Sequence, residues 1–215
     1  MIPLDIFSDP VCPWCYIGKA NLDRALEAHP DHPFVVTWHP FQLNPDMPLE
    51  GVDRRDYLEA KFGGKANAVK VYARVVEAAE AAGVEINFEA MPRMPNTLNA
   101  HRLIHWAGLE GRQNAVKAAL MRAYFRDGRD IGDSPTLVAI AAECGLDPEM
   151  IARLLATDAD LGDIRARDAH ARSRGITAVP TFIIASQHAL QGAQPTELWG
   201  RVIEDINRQL AGAAS

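Results

Sequence analysis

Two apolar rhythms alternate along this chain, and the points where one gives way to the other divide it into elements. The run Ile2-Pro3-Leu4-Asp5-Ile6-Phe7 is short, apolar and closed by the turn-forming Ser8-Asp9-Pro10, which predicts a strand buried on both faces. Beyond it the period lengthens: Ile17, Leu22, Ala25, Leu26 and Ala28 recur at helical spacing, and Pro13 suits an opening turn. Residues 34–41 are β-branched and aromatic and predict a second strand. The proline-rich Asn44-Pro45-Asp46-Met47-Pro48 then breaks regular structure.

From Asp53 to Arg174 the pattern is helical. Start signals stand at Asp53, Thr97, Ser134-Pro135, Asp147-Pro148 and Asp158 or Asp160. Between Ala66 and Ala82 the positions Val69, Tyr72, Val75, Val76 and Ala79 form one stripe, read as core. Residues 88–95 read as a surface loop. Strand patterns return at residues 181–185 and 188–191 as a hairpin turning at Ser186-Gln187. Pro195 then opens a last helix with Leu198, Trp199, Val202, Ile203, Ile206 and Leu210 on its apolar side. The two ends, 1–48 and 175–215, must fold together as one α/β unit around an all-helical insertion, 49–174.

Composition narrows the partners. The chain has 215 residues, 48% of them hydrophobic, and a net charge of -6 with Lys and Arg scattered rather than clustered, which argues against nucleic acid and anionic membrane. No run is long enough to span a bilayer. The first strand begins almost at once, without a basic segment and apolar leader, and there are only three cysteines. Both features place the chain in the cytoplasm, where disulfides are usually transient and catalytic.

The candidate chemistry sits where the first strand passes into the first helix, at Cys12-Pro13-Trp14-Cys15. Two cysteines one helical turn apart can share a disulfide. Unpaired backbone N–H groups and the helix dipole favour a thiolate at Cys12, which makes it the nucleophile and Cys15 the resolving thiol. Zinc would need two further ligands at suitable spacing, and the third cysteine, Cys144, stands alone on an apolar helix face as a small buried hydrophobe.

The frame, with C-x-x-C after the first strand and Val179-Pro180 before the third, resembles the thioredoxin fold, and the long helical insertion resembles its DsbA-like branch. Residues 8–18, Phe41-Gln42-Leu43-Asn44-Pro45, residues 96–101 and Gly192-Ala193-Gln194-Pro195 look like the FrnE-type subfamily. Its members are described as thiol-disulfide oxidoreductases or polyketide-biosynthesis-associated homologues. The fold is thus expected to be thioredoxin-like α/β, and the partners protein or small-molecule thiols and disulfides, with no metal and with the chain a monomer or homodimer. The architecture is shared with 2-hydroxychromene-2-carboxylate isomerases and kappa-class glutathione transferases, which commonly carry serine where this chain has Cys12. That resemblance supplies the alternatives: glutathione as reductant or co-substrate, a glutathione-dependent isomerase or transferase acting on a small aromatic compound, or a non-catalytic chaperone that keeps the dithiol.

The resemblance also implies a cis bond at Val179-Pro180, with Pro180 shaping a groove in which the Val179 backbone pairs with substrate and which Thr177 and Ala178 edge. Asp5, a carboxylate inside an apolar strand, reads either as the group exchanging the Cys15 proton or as a solvated edge aspartate, and Asp9 as a turn former. Trp14 is expected to line the substrate face, extended by Phe41, Leu43 and Met91 or Met94. Asn99, His101 and His105 lie on an inserted helix expected to overhang the site, where His101 is a candidate substrate contact.

Overall fold

The computed structural model describes residues 1–213. In chain order the frame opens with β1 (Ile2–Ser8), α1 (Pro13–Ala28) and β2 (Phe34–Pro40). There follow β3 (Val52–Asp53), α2 (Arg54–Phe62), α3 (Lys65–Ala81), a single 3-10 turn at Phe88–Ala90 and β4 (Arg93–Met94). Then come α4 (Leu98–Leu109), α5 (Gln113–Phe125), α6 (Ser134–Glu143), α7 (Pro148–Leu155) and α8 (Leu161–Ser173), and the chain closes with β5 (Thr181–Ile184), β6 (His188–Gln191) and α9 (Thr196–Ala213).

The main sheet has the order β2-β1-β5-β6. β1 is parallel to β2, with Ile6 opposite Trp38, and antiparallel to β5, with Ile6 opposite Phe182. The first strand is therefore central, which is why Leu4 and Ile6 are fully buried. Its other side is more open than the apolar run predicts, since Asp5 and Phe7 are half-buried. Period-two alternation explains the split: Leu4, Ile6 and Ser8 share one face, and Asp5 and Phe7 the opposite one. Trp199 of α9 packs edge-on to Phe182 at 4.9 Å, locking the last helix to the third main strand. One hydrophobic cluster runs from Leu4, Ile6 and Trp199 through Leu103, Leu120 and Ile140, so frame and inserted helices share a core.

Local signals account for the helix starts. The side chains of Asp53, Asp133 and Asp147 accept backbone N–H bonds at the heads of α2, α6 and α7, satisfying donors that a helix leaves unpaired. Two expectations need correction. The inserted stretch is not purely helical, because β3 and β4 pair antiparallel, with Val52 opposite Met94, and β4 lies inside residues 88–95, which read as loop. In α3 only part of the stripe is core: Val75 and Ala79 are buried but Val69 is 61% exposed, since α3 lies over the frame along one narrow side. Among the described residues no helix is long and apolar enough to cross a membrane.

Candidate active site

Cys12 is the N-cap of α1, and its carbonyl accepts from the N–H groups of Cys15 and Tyr16 at 3.1 and 3.2 Å. Both sulfurs are free thiols and both are buried, Cys12 at 3% exposure and Cys15 at 1%. The Val179-Pro180 bond is cis, and the Cys12 Sγ donates to the Val179 carbonyl at 3.6 Å across 167 residues of chain. Gly18, one turn beyond Cys15, makes this approach possible: a Cβ there would stand 3.2 Å from Pro180 Cγ and 3.3 Å from Ala193 Cα. The hairpin loop can thus lie directly on α1.

A cleft of about 300 Å³ opens beside Cys12, lined by Trp14, Leu43, Tyr57, Lys61, Tyr72 and the Thr177-Ala178-Val179 backbone, among others. Cys15 does not reach it. Lys61 Nζ donates to the Tyr57 hydroxyl at 2.7 Å, and Tyr57 donates to Asn44 Oδ1 at 2.6 Å. These make a polar rim opposite the apolar wall of Trp14, Phe62 and Val75. Trp14, Leu43, Met94 and Val179 line this cleft together, and Tyr57, Lys61 and Tyr72 join them from the inserted helices.

The shifts at the two sulfurs run opposite to the helix-terminus expectation of a favoured thiolate at Cys12. The Cys12 thiol is raised well above its ordinary range, first by its hydrogen bond to Cys15 and then by burial. Cys15 is pushed up by burial, but the hydrogen bond from Cys12 and the positive charge of Lys117 outweigh this and leave it lowered. The two sulfurs thus differ in direction: the protonated form is favoured at Cys12 and the charged form at Cys15. The larger lowering influence on the inner sulfur is the hydrogen bond from Cys12, and the positive charge of Lys117, a buried lysine of α5, comes second. Burial in turn brings Lys117 down to about 8, against the pull of Cys15 and Asp9.

Three residues proposed from sequence lie elsewhere. Asp5 bonds His39 Nε2 at 2.7 Å and lines a second cleft with Phe7, Arg167 and His170, on the sheet face opposite Ser8; it has no route to Cys15. Phe41 is buried beneath the Arg172 guanidinium, 4.1 Å from its ring centroid, and supports the core rather than substrate. His101 is buried behind the dithiol, its Nε2 3.6 Å from Asp9 Oδ1, and does not line the cleft. Burial lowers its pKa in spite of that carboxylate, so it is neutral. Asp9 itself is fully buried and accepts from the Leu43 N–H at 2.7 Å, which makes it more than a turn former. Cys144 is only half-buried, at the C-cap of α6. Lys117 was passed over, although a single lysine in Ala115-Val116-Lys117-Ala118-Ala119-Leu120 is a visible anomaly.

A C-x-x-C at the head of the first helix, facing a cis-proline loop in a β-α-β/β-β-α frame, is the arrangement of a thioredoxin-like fold. Residues 3–203 match the DSBA-like thioredoxin domain, and the chain belongs to that family. Its fold is similar to that of a probable DsbA oxidoreductase from Streptomyces coelicolor, with a TM-score of 0.85 and 32% identity over 95% of this chain and 89% of that one. It also resembles the cytosolic disulfide reductase DsbM from Pseudomonas aeruginosa, solved with GSH, at TM-score 0.69 and 22% identity, covering 96% and 99% of the two chains. A 2-hydroxychromene-2-carboxylate isomerase shares the fold at TM-score 0.75 and 15% identity, covering 99% and 100%.

Proposed function

We propose that the chain exchanges disulfides through Cys12 and Cys15, with Cys12 meeting the substrate and Cys15 resolving the mixed disulfide. The observation that carries this reading is the placement of the pair: Cys12 lines the cleft beside the Val179 carbonyl, and Cys15 sits behind it, out of the cleft. Attack begins as the Cys12 thiol turns from the Val179 carbonyl and gives its proton to Cys15. The Cys12 thiolate then opens the substrate disulfide, and the first leaving thiolate departs. Cys15 passes its proton to that leaving thiolate and, as the thiolate, attacks the Cys12 sulfur, which closes the Cys12–Cys15 disulfide and frees the second group as a thiolate that takes a proton from solvent. Pro180 keeps the loop close to the sulfurs, and the Val179 backbone offers an extended substrate a pairing partner.

The narrower reading as a FrnE-type enzyme of the cytoplasm rests on the motif runs and the three cysteines. Glutathione fits as the reductant, since the cleft is of tripeptide size and has an ammonium, Lys61, on its rim. Reduction of a model protein disulfide and of oxidised glutathione by the parent, Cys12→Ser and Cys15→Ser tests the assignment. Cys12→Ser should abolish both activities, and Cys15→Ser should trap a mixed disulfide. Isomerase turnover of a 2-hydroxychromene-2-carboxylate by Cys12→Ser, with no disulfide activity in the parent, would overturn it. In that case serine would serve as a hydrogen-bond donor to a bound thiol.

A further inference from the structure

The main sheet carries a second cleft that shares no lining residue with the one beside Cys12. Its volume is about 480 Å³, within the range of small-molecule sites. The floor comes from strand positions of one parity: Phe7 stands opposite His39 across β1 and β2, Asp5 opposite Ile183 across β1 and β5, and Ile183 opposite Ala189 across β5 and β6. The facing wall is α8 with its C-cap. Arg167, His170 and Arg174 recur there at spacings of three and four residues, which keeps them on one helix face. Ala171 and Ala189 are too short to fill the space between wall and floor.

The lining is polarised. Its one carboxylate, Asp5, is held by His39 Nε2 at 2.7 Å, and its other ionisable groups are all basic. Arg167 donates to His105 Nδ1 at 3.1 Å and lies 3.7 Å from Asp163, so its charge is partly shared. The side chains of Arg174 and His170 have no hydrogen-bond or ion-pair partner among the described residues. Counting guanidinium groups and carboxylate alone, the lining has one excess positive charge. The floor is flat as well as apolar, because the rings of Phe7 and His39 stack at 4.9 Å with 21° between their planes. A planar hydrocarbon body can therefore lie along Phe7 and Ile183 while a negative group at its end meets Arg174 and His170. Guanidinium suits the planar fork of a carboxylate. A phosphate monoester carries close to two charges at neutral pH and would leave one of them uncompensated.

We propose that this cleft is a binding site for a small aromatic monocarboxylate, its ring against Phe7 and Ile183 and its carboxylate on Arg174. The site stands apart from disulfide exchange, since neither cysteine lines it. Asp5, already bonded to His39, is a neighbour of the ligand and not a contact for its charge.

Isothermal titration of the full chain with 2-naphthoate tests this, beside 2-naphthamide, which keeps the rings and lacks the charge, and 2-naphthyl phosphate. The expected result is saturable binding of 2-naphthoate with a Kd of about 1 mM or tighter, the affinity that ordinary ligand efficiency gives a molecule of this size, and binding of the other two about tenfold weaker or less. Arg174→Gln, at an exposed position, should weaken 2-naphthoate about tenfold through the lost charge-assisted contact. Ala189→Trp, also at an exposed position, should abolish binding by filling the cleft. In the parent, 2-naphthoate should move the amide N–H resonances of residues 167–176 and 183–189 and leave those of residues 57–62, beside the dithiol cleft, in place. Absence of saturable binding overturns the proposal, as do equal affinity for the amide, tighter binding of the phosphate, or resonance shifts at residues 57–62 instead. Undiminished binding by both folded variants does the same. Should a variant fail to fold, the three ligands and the resonance map of the parent decide by themselves.

Discussion

Arg102 offers a direct measure of how the inserted helices are held together. It is 1% exposed on α4, and its guanidinium donates through Nε to the Ala159 carbonyl at 2.7 Å. Through Nη2 it donates to the carbonyls of Leu154 and Thr157 at 2.8 and 2.7 Å, and through Nη1 to Asn99 Oδ1 at 2.9 Å. It also stacks 4.9 Å from the centroid of the Trp106 ring, whose indole N–H reaches Asp160 Oδ2 at 2.8 Å. This one side chain therefore pins the link between α7 and α8, where Asp160 takes a left-handed φ of 57° that L-residues disfavour. Arg102→Met keeps the aliphatic stem and removes the donors. The Leu154 carbonyl still accepts from the Thr157 N–H and hydroxyl, so the loss falls on the carbonyls of Thr157 and Ala159. At about 1–3 kcal/mol for each orphaned group, less the relief of no longer burying a cation, the net cost is about 3 kcal/mol. For a domain of this size that lowers Tm by about 6–12 °C. Thermal and urea unfolding of the reduced protein measure it, and disulfide exchange well below the transition should be unchanged, since no Arg102 contact reaches the sulfurs. A Tm within about 2 °C of the parent would show that this hydrogen-bond cluster contributes little, and the reasoning would fail.

Asp5→Asn should leave the rate of disulfide exchange within twofold of the parent, about the scatter expected for a distant change, because the carboxylate faces His39 across the sheet; a tenfold loss would restore it as a proton carrier. His101 is held below its usual 6.5 by burial, so the unfolded chain binds the proton first. Stability is therefore complete above about 6.5 and declines as pH falls from there toward the folded value. His101→Gln should flatten that decline in urea melts between pH 7 and 5, and parallel curves for the two proteins would refute it. Burial, and next the charge of Glu143, raise the half-buried Cys144 thiol, so it should label with iodoacetamide slowly at pH 7 and faster as pH rises beyond its ordinary range. Labelling that is rapid at pH 7 and flat with pH would contradict this.

Much of the frame was legible in the chain. The change from a strand run to helical spacing between Ser8 and Ile17 marks a junction that the structure reproduces, with the two cysteines on it. The cis bond before Pro180 was implied by the family resemblance alone, whereas the strands at both ends and the acids heading α2 and α7 were readable directly. These are local properties, set by side-chain period, backbone preference and capping groups within a few residues of one another. The chemistry of the site was not local. The C-x-x-C reveals two sulfurs, but the charges that act on them include Lys117, whose contact with Ser8 spans 109 residues of chain. Periodicity marks a face as apolar without saying what covers it, so Val69 stays exposed while Phe41, in a loop, is sealed by Arg172 from α8. It shows that Asp5 alternates away from Ile6, but only the pairing of β1 with β2 puts His39 beside it and the dithiol on the other face. By itself the sequence determined where the sulfurs lie along the chain and which elements carry them. The tertiary structure decided which groups surround each sulfur and which cleft reaches it, because burial and Coulomb interactions act through space between segments that chain order keeps far apart.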